Sequence, residues 1–108
     1  MNGSDEPVWS LVMFDLPVKT KEQRRSATDF RNLLLDEGYQ MAQFSVYARF
    51  SPSIHSLLPT IGTIKHNLPE GGEVRILTVT DHQWAKTLRY TNAREDIVED
   101  APLQLTIF

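Results

Sequence analysis

Asp15 stands at the end of the apolar run Val8-Trp9-Ser10-Leu11-Val12-Met13-Phe14 and is followed at once by Leu16-Pro17. A run of that kind reads as a buried strand, and the proline turns the chain directly after it. A carboxylate at a strand mouth can hold a metal ion or move a proton at a surface. An Asp there serves equally as a strand terminator, because its side chain bonds readily to nearby backbone amides. A lone carboxylate is not too little for a metal ion, since Mg²⁺ typically takes one or two carboxylates and fills its other positions with water. Basic residues follow closely. Between positions 19 and 31, Lys19, Lys21, Arg24, Arg25 and Arg31 stand against only Glu22 and Asp29. Such a cluster suits sequence-independent contacts to phosphates, and it equally suits a solvated helix face.

Other chemistries are excluded by composition. The 108 residues include no cysteine, which removes disulfides, thiolate nucleophiles and cysteine metal cages. His55, His66 and His82 fall on different elements without the spacing of a zinc site, so no zinc is expected. The net charge of −3 runs against the usual basic excess of nucleic-acid binders. Its distribution matters more: the segment 94–100 sets Glu95, Asp96, Glu99 and Asp100 against Arg94, so a basic face coexists with an acidic total. Apolar stretches are a few residues long, whereas a membrane span needs about 20. With no charged-then-apolar leader at its start, the chain is expected to be cytoplasmic and free of membrane association.

The elements that must position these residues are announced by caps and periodicities. Residues 1–7 read as a flexible tail, residues 8–15 as the first strand. Thr20 and Gln23 form a capping-box pattern and Gly38 waits as a helix stop, so a helix is predicted over 20–37 with Ala27, Phe30 and Leu34 on its apolar stripe. Positions 39–50 alternate as a strand, or as two strands joined by a bulge or bend near Gln43. Ser51-Pro52 reads as an N-cap followed by a first-turn proline. Ile54, Leu57, Leu58, Ile61, Ile64 and Leu68 then predict a second helix over 52–67, with a kink or irregular turn at Pro59. Pro69-Glu70-Gly71-Gly72 is a turn, and 73–80 alternates as a strand. The order β-α-β(β)-α-β predicts an α+β sandwich of ferredoxin-like connectivity, with its domain at 8–80. Residues 81–108 read as a polar linker leading to a last strand on which Leu103, Leu105 and Ile107 share one face. That strand is free to add to its own sheet or to a second copy's edge. Trp9, Trp84 and Tyr90 are expected in the core or in contacts between copies.

The strand ending in Asp15, the helix opening with Arg24-Arg25, the string Gln43-Phe44-Ser45-Val46-Tyr47, and Leu68-Pro69-Glu70-Gly71-Gly72-Glu73-Val74-Arg75 occur together in one order. In these respects the chain resembles the smaller of the two universal CRISPR adaptation proteins, a CRISPR-associated endonuclease family, over nearly its whole length. The resemblance implies a ferredoxin-like βαββαβ subunit in a symmetric homodimer, with the extra C-terminal strand at 103–107 packing on the partner subunit and 81–108 serving as the dimerisation segment. It implies a nuclease acting on RNA or double-stranded DNA, with Mg²⁺ or Mn²⁺ as cofactor. It also implies a scaffold role beside the larger CRISPR adaptation integrase during spacer acquisition.

Asp15 matches the family's metal-binding aspartate. In a two-fold dimer, two Asp15 side chains near the axis would share one ion. Lys19, Lys21, Arg24, Arg25 and Arg31 would contact nucleic acid, and Gln43, Ser45 and Tyr47 would stand behind the metal site. Phe14 departs from the pattern, because the family often carries Tyr at that place. The competing expectation is a ferredoxin-like regulatory or interaction domain without a nucleic-acid role, since this fold hosts many functions.

Overall fold

A computed structural model describes residues 6–91 and 94–102 of the chain. The predicted last strand with Leu103, Leu105 and Ile107 lies outside the described residues, as does most of the N-terminal tail. The first strand, β1, runs Val8–Asp15 as predicted. Val8, Ser10, Val12 and Phe14 are all buried, and the period of two places Trp9, Leu11, Met13 and Asp15 on the opposite face.

Helix α1 spans Lys21–Asp36. The Thr20 hydroxyl accepts the Gln23 N–H at 3.0 Å while the Gln23 side chain accepts the Thr20 N–H at 3.0 Å, which is the predicted capping box. At the other end Gly38 adopts φ 92°, its N–H bonding to the Leu35 carbonyl at 3.1 Å and the Tyr39 N–H to the Leu34 carbonyl at 2.9 Å. Two orphan carbonyls are thereby satisfied, as in a Schellman stop. The stripe of Ala27, Phe30 and Leu34 is buried.

The stretch from Tyr39 resolves into two strands, β2 at Gln40–Gln43 and β3 at Val46–Ser51, with an irregular register between Met41 and Gln43. Helix α2 then covers Ile54–His66. Its N-cap is Ser53 rather than the expected Ser51, with the Ser53 hydroxyl accepting the Ser56 N–H at 3.2 Å. Ser51 remains in the sheet because it pairs with Val8, so the helix cannot begin until the chain has left β3. The helix runs through Pro59. Strand β4 follows at Glu73–Thr80.

The four strands form one antiparallel sheet in the order β2-β3-β1-β4, the ferredoxin-like arrangement. Its core gathers Val12, Phe14, Phe30, Leu34, Tyr39, Tyr47 and Ile64. Phe14 meets Phe30 edge-on at 5.4 Å, a favoured aromatic geometry. The polar exceptions are mostly paired. Ser10 and Tyr39 share a hydroxyl hydrogen bond of 2.7 Å, and Arg49 donates to Thr60. Burial raises the Tyr39 phenol above its ordinary value, outweighing the Ser10 bond and the Arg49 charge, so the ring stays neutral in the core.

Beyond Asp81 the expected polar linker is instead folded. A short helix α3, Asp81–Ala85, is opened by a second capping box of Thr80 and Gln83. Trp84 stacks on Trp9 at 5.3 Å, and the Trp9 indole N–H donates to Asp81 at 2.7 Å. A small hairpin, β5 at Arg89–Thr91 and β6 at Arg94–Asp96, comes next. Trp9 and Trp84 thus hold the segment against the sheet, whereas Tyr90 is exposed.

Gly62 offers a simple test of α2. A Cβ there would meet nothing within 4 Å, and its φ is ordinary. Gly62→Ala should therefore stabilise the protein by ~0.5–1 kcal/mol through helix propensity alone, read as a rise in the thermal midpoint.

Candidate metal and nucleic-acid site

Asp15 ends β1 directly opposite Glu73, the first residue of β4. Facing residues of an antiparallel pair hold their Cβ atoms about 4.5–5.5 Å apart, where two like charges repel. Asp15 is exposed, and among the described residues its carboxylate accepts no hydrogen bond and joins no ion pair. The strand-terminator role therefore has no bond to support it. Arg75 sits beside the pair and reaches Glu73 at 2.7 Å, with both side chains largely exposed. An ion pair in that setting is worth about 0–1 kcal/mol, too little to neutralise the site. Met13, Phe14, Asp15, Glu73 and Arg75 line a depression of about 250 Å³.

The donors suit one kind of ion. Among the described residues no group of three or more His, Cys, Asp or Glu could hold a metal, which gives no basis for a closed zinc-type cage. Two carboxylate oxygens opening to solvent do fit Mg²⁺ or Mn²⁺, hard ions that complete their shells with water or phosphate.

Two contacts fix the strand end. Gly71 and Gly72 have φ of 75° and 72°, the left-handed region that glycine adopts without cost. Gly72 packs so closely that a Cβ would overlap the Asp15 carbonyl oxygen and approach Leu16 Cα at 3.0 Å and Pro17 Cδ at 3.1 Å. On the other side, the Phe14 N–H donates to the Ser45 carbonyl at 3.1 Å. Ser45 itself has φ 63°, unusual for a residue other than glycine.

The remaining predicted residues separate. Ser45 is tied by its backbone to the residue before Asp15, while Gln43 lies exposed on the edge strand. Tyr47 is buried beside Phe14 at 5.7 Å, on the helix-covered face rather than the Asp15 face. Lys19, Lys21 and Arg25 are exposed at the start of α1. Arg24 turns back, donating to the Val18 and Lys19 carbonyls at 3.1 Å each, and so fastens the loop before the helix. Arg31, seven residues on, continues that flank. On the opposite flank Glu22, Asp29 and Asp36 also recur every seven residues, and Asp29, Asp36 and Glu70 wall a groove beside the helix. Arg25, three residues after Glu22 and four before Asp29, stands at the border of that acidic flank, and Arg24 and Arg31 lie away from it. Glu73 joins the candidate site only through the β1–β4 register, which the sequence alone does not reveal.

The fold and site define a ferredoxin-like α+β protein with an open carboxylate pair at a strand end and a basic helix start beside it. The family model for CRISPR associated protein Cas2 matches residues 8–87, and the chain belongs to that family. It is 43% identical over 101 residues to the CRISPR-associated endoribonuclease Cas2 of Paracidovorax avenae, covering 94% of each chain. It is 36% identical over 97 residues to the protein of the same description from Flavobacterium psychrophilum, covering 90% of this chain and 84% of that one. A solved structure described as the crystal structure of cas2 shares the fold at a TM-score of 0.58 and 15% identity, over 90% of this chain and 99% of the other. Among the described residues no helix is long and apolar enough to cross a membrane.

Proposed function

We propose that the chain is a CRISPR adaptation protein that works as a homodimer, holding nucleic acid for the larger adaptation integrase and carrying a metal-dependent endonuclease site at Asp15. The observation that carries this reading is the exposed Asp15–Glu73 pair, braced by Gly72 and Ser45 yet left without a protein cation to neutralise Asp15. Family membership and relatives described as endoribonucleases support the nuclease part.

The dimer is supported by the sheet face away from the helices, which the segment after Asp81 covers only in part, Trp84 packing on Trp9 at one end. Leu11, Met13, Val46 and Leu77 are half-buried or exposed there, on the same side as Asp15. Pairing of two such faces about a two-fold axis would bury them and bring each Asp15 toward its copy, so that one Mg²⁺ or Mn²⁺ serves two chains. The final strand with Leu103, Leu105 and Ile107 would extend the contact onto the partner subunit. On this reading residues 8–80 form the nucleic-acid-binding domain and 81–108 the dimerisation segment.

Asp15 and Glu73 would hold the ion from the strand ends, and Ser45 would keep β1 in register through its carbonyl. The bound ion would lower the pKa of a coordinated water and offset phosphate charge. Lys19, Lys21 and Arg25 would hold the backbone of RNA or double-stranded DNA by charge, with Arg24 and Arg31 continuing the path along the basic flank of α1. Gln43 would orient solvent at the site's edge, and Tyr47 would support Phe14 from the core.

The test measures duplex and RNA binding by anisotropy across a salt series for the wild type and for Lys21→Glu/Arg25→Glu. The variant should bind at least about tenfold more weakly, with a shallower salt dependence. Equal affinities and slopes would remove the nucleic-acid role of α1. In parallel, gel filtration with the larger integrase should give a joint complex, and separate elution would contradict the scaffold role.

A further inference from the structure

We propose that Phe44 is a stacking platform for a nucleobase at the Asp15 end of the sheet, an inference that rests on the nucleic-acid reading above. Phe44 is 85% exposed, more than any other large apolar residue reported among the described ones. Phe14 and Phe30, by contrast, are packed in the core. Leaving a whole ring in water forgoes about 1.5–3 kcal/mol of burial, so a ligand that covers it gains from doing so.

Its position is specific. Phe44 and Ser45 form the turn between β2 and β3, with Gln43 opposite Val46 at its base. The Ser45 carbonyl is bonded to the Phe14 N–H, so the turn is joined directly to the strand that delivers Asp15. The turn that carries the ring therefore lies at the same end of the sheet as Asp15, tied to β3 through Gln43 and to β1 through Ser45, and little backbone freedom is lost when it engages a ligand.

The surroundings favour a base over another apolar surface. Phe44 is flanked by Gln43 and Ser45, polar side chains able to bond to base edges. The continuous apolar strip of Leu11, Met13, Val46 and Leu77 lies on the strands, whereas Phe44 lies past their ends. A ring near a phosphate site also suits a protein without sequence readout, because every base offers a π-face. An unpaired base, in a single strand or at a frayed duplex end, is the form that can reach it.

The experiment uses the full chain with 12- to 20-nucleotide single-stranded RNA and DNA of about that length, and with a blunt duplex, in buffer containing Ca²⁺ to suppress cleavage. Phe44→Ala should weaken single-strand binding by about tenfold while leaving the salt slope unchanged, because the lost contact is not ionic. Phe44→Trp should retain affinity and show quenched indole emission on binding. Sedimentation of the free proteins should give the same oligomeric state for all three. Equal single-strand affinity of Phe44→Ala and wild type would overturn the proposal while leaving the nucleic-acid reading intact. A loss of affinity that tracks a shift toward monomer would also overturn it and assign the ring to contact between copies. Absence of any binding by the wild type would overturn both readings.

Discussion

Asp15→Asn is expected to lower divalent-cation-dependent cleavage of RNA or duplex DNA by about a hundredfold or more, and to leave folding and nucleic-acid binding within about twofold of wild type. The substitution keeps the shape of the side chain and removes its charge. Among the described residues that carboxylate has no hydrogen-bond partner, so the substitution breaks no bond there. Its loss leaves Glu73 as the one carboxylate of the pair, already engaged by Arg75, and a hard divalent ion then has little to hold it. On the proposed reading binding should survive, because it would rely on Lys19, Lys21 and Arg25, at and just before the start of α1. Cleavage that persists unchanged in the variant would assign the activity to another site or to a contaminant.

Gly72→Ala is expected to act in the opposite way, through the fold first. The new Cβ would collide with the Asp15 backbone and Leu16, neither of which can swing aside as a flexible side chain would, and φ of 72° is itself unfavourable for alanine. A cost of ~2–4 kcal/mol is in the range of strain at special backbone positions. For a domain of this length each kcal/mol lowers the melting midpoint by about 4–8 °C. Gly71→Ala supplies the comparison. Its Cβ would meet only the Pro17 ring, at 3.4 Å from Cγ and 3.9 Å from Cδ, so it suffers backbone strain without a collision and should lose less. Gly72→Ala should also lose cleavage, because the strand end moves with the turn. A Gly72→Ala melt indistinguishable from wild type would show that the turn does not brace Asp15.

The fold was readable where local chemistry and tertiary demand agree. Thr20 with Gln23 and Gly38 mark α1 because the backbone groups they satisfy are those a helix end leaves open. The N-cap of α2 shows the limit: Ser51-Pro52 carries the right residues, yet pairing of Ser51 with Val8 keeps it in the sheet. Helix α3 shows another. Thr80 and Gln83 repeat the capping pattern, but the helix is too short for periodicity to register, and what holds it is the stacking of Trp84 on a tryptophan 75 positions away in sequence.

For the site, Asp15 and the exposed charges Lys19, Lys21 and Arg25 could be found from order and spacing. Glu73 could not be recognised as its neighbour until the β1–β4 register set it opposite Asp15. Nor could Arg24 be told from Arg25 in sequence, although one bonds to the loop carbonyls and the other faces solvent.

The most direct test is a Mn²⁺ titration followed by electron paramagnetic resonance, on the wild type and on Asp15→Asn at matched concentration with no nucleic acid present. One ion shared by two chains predicts a saturating component of about half an ion per chain in the wild type, and its absence in Asp15→Asn. Equal Mn²⁺ binding by the two proteins would contradict a metal site at Asp15.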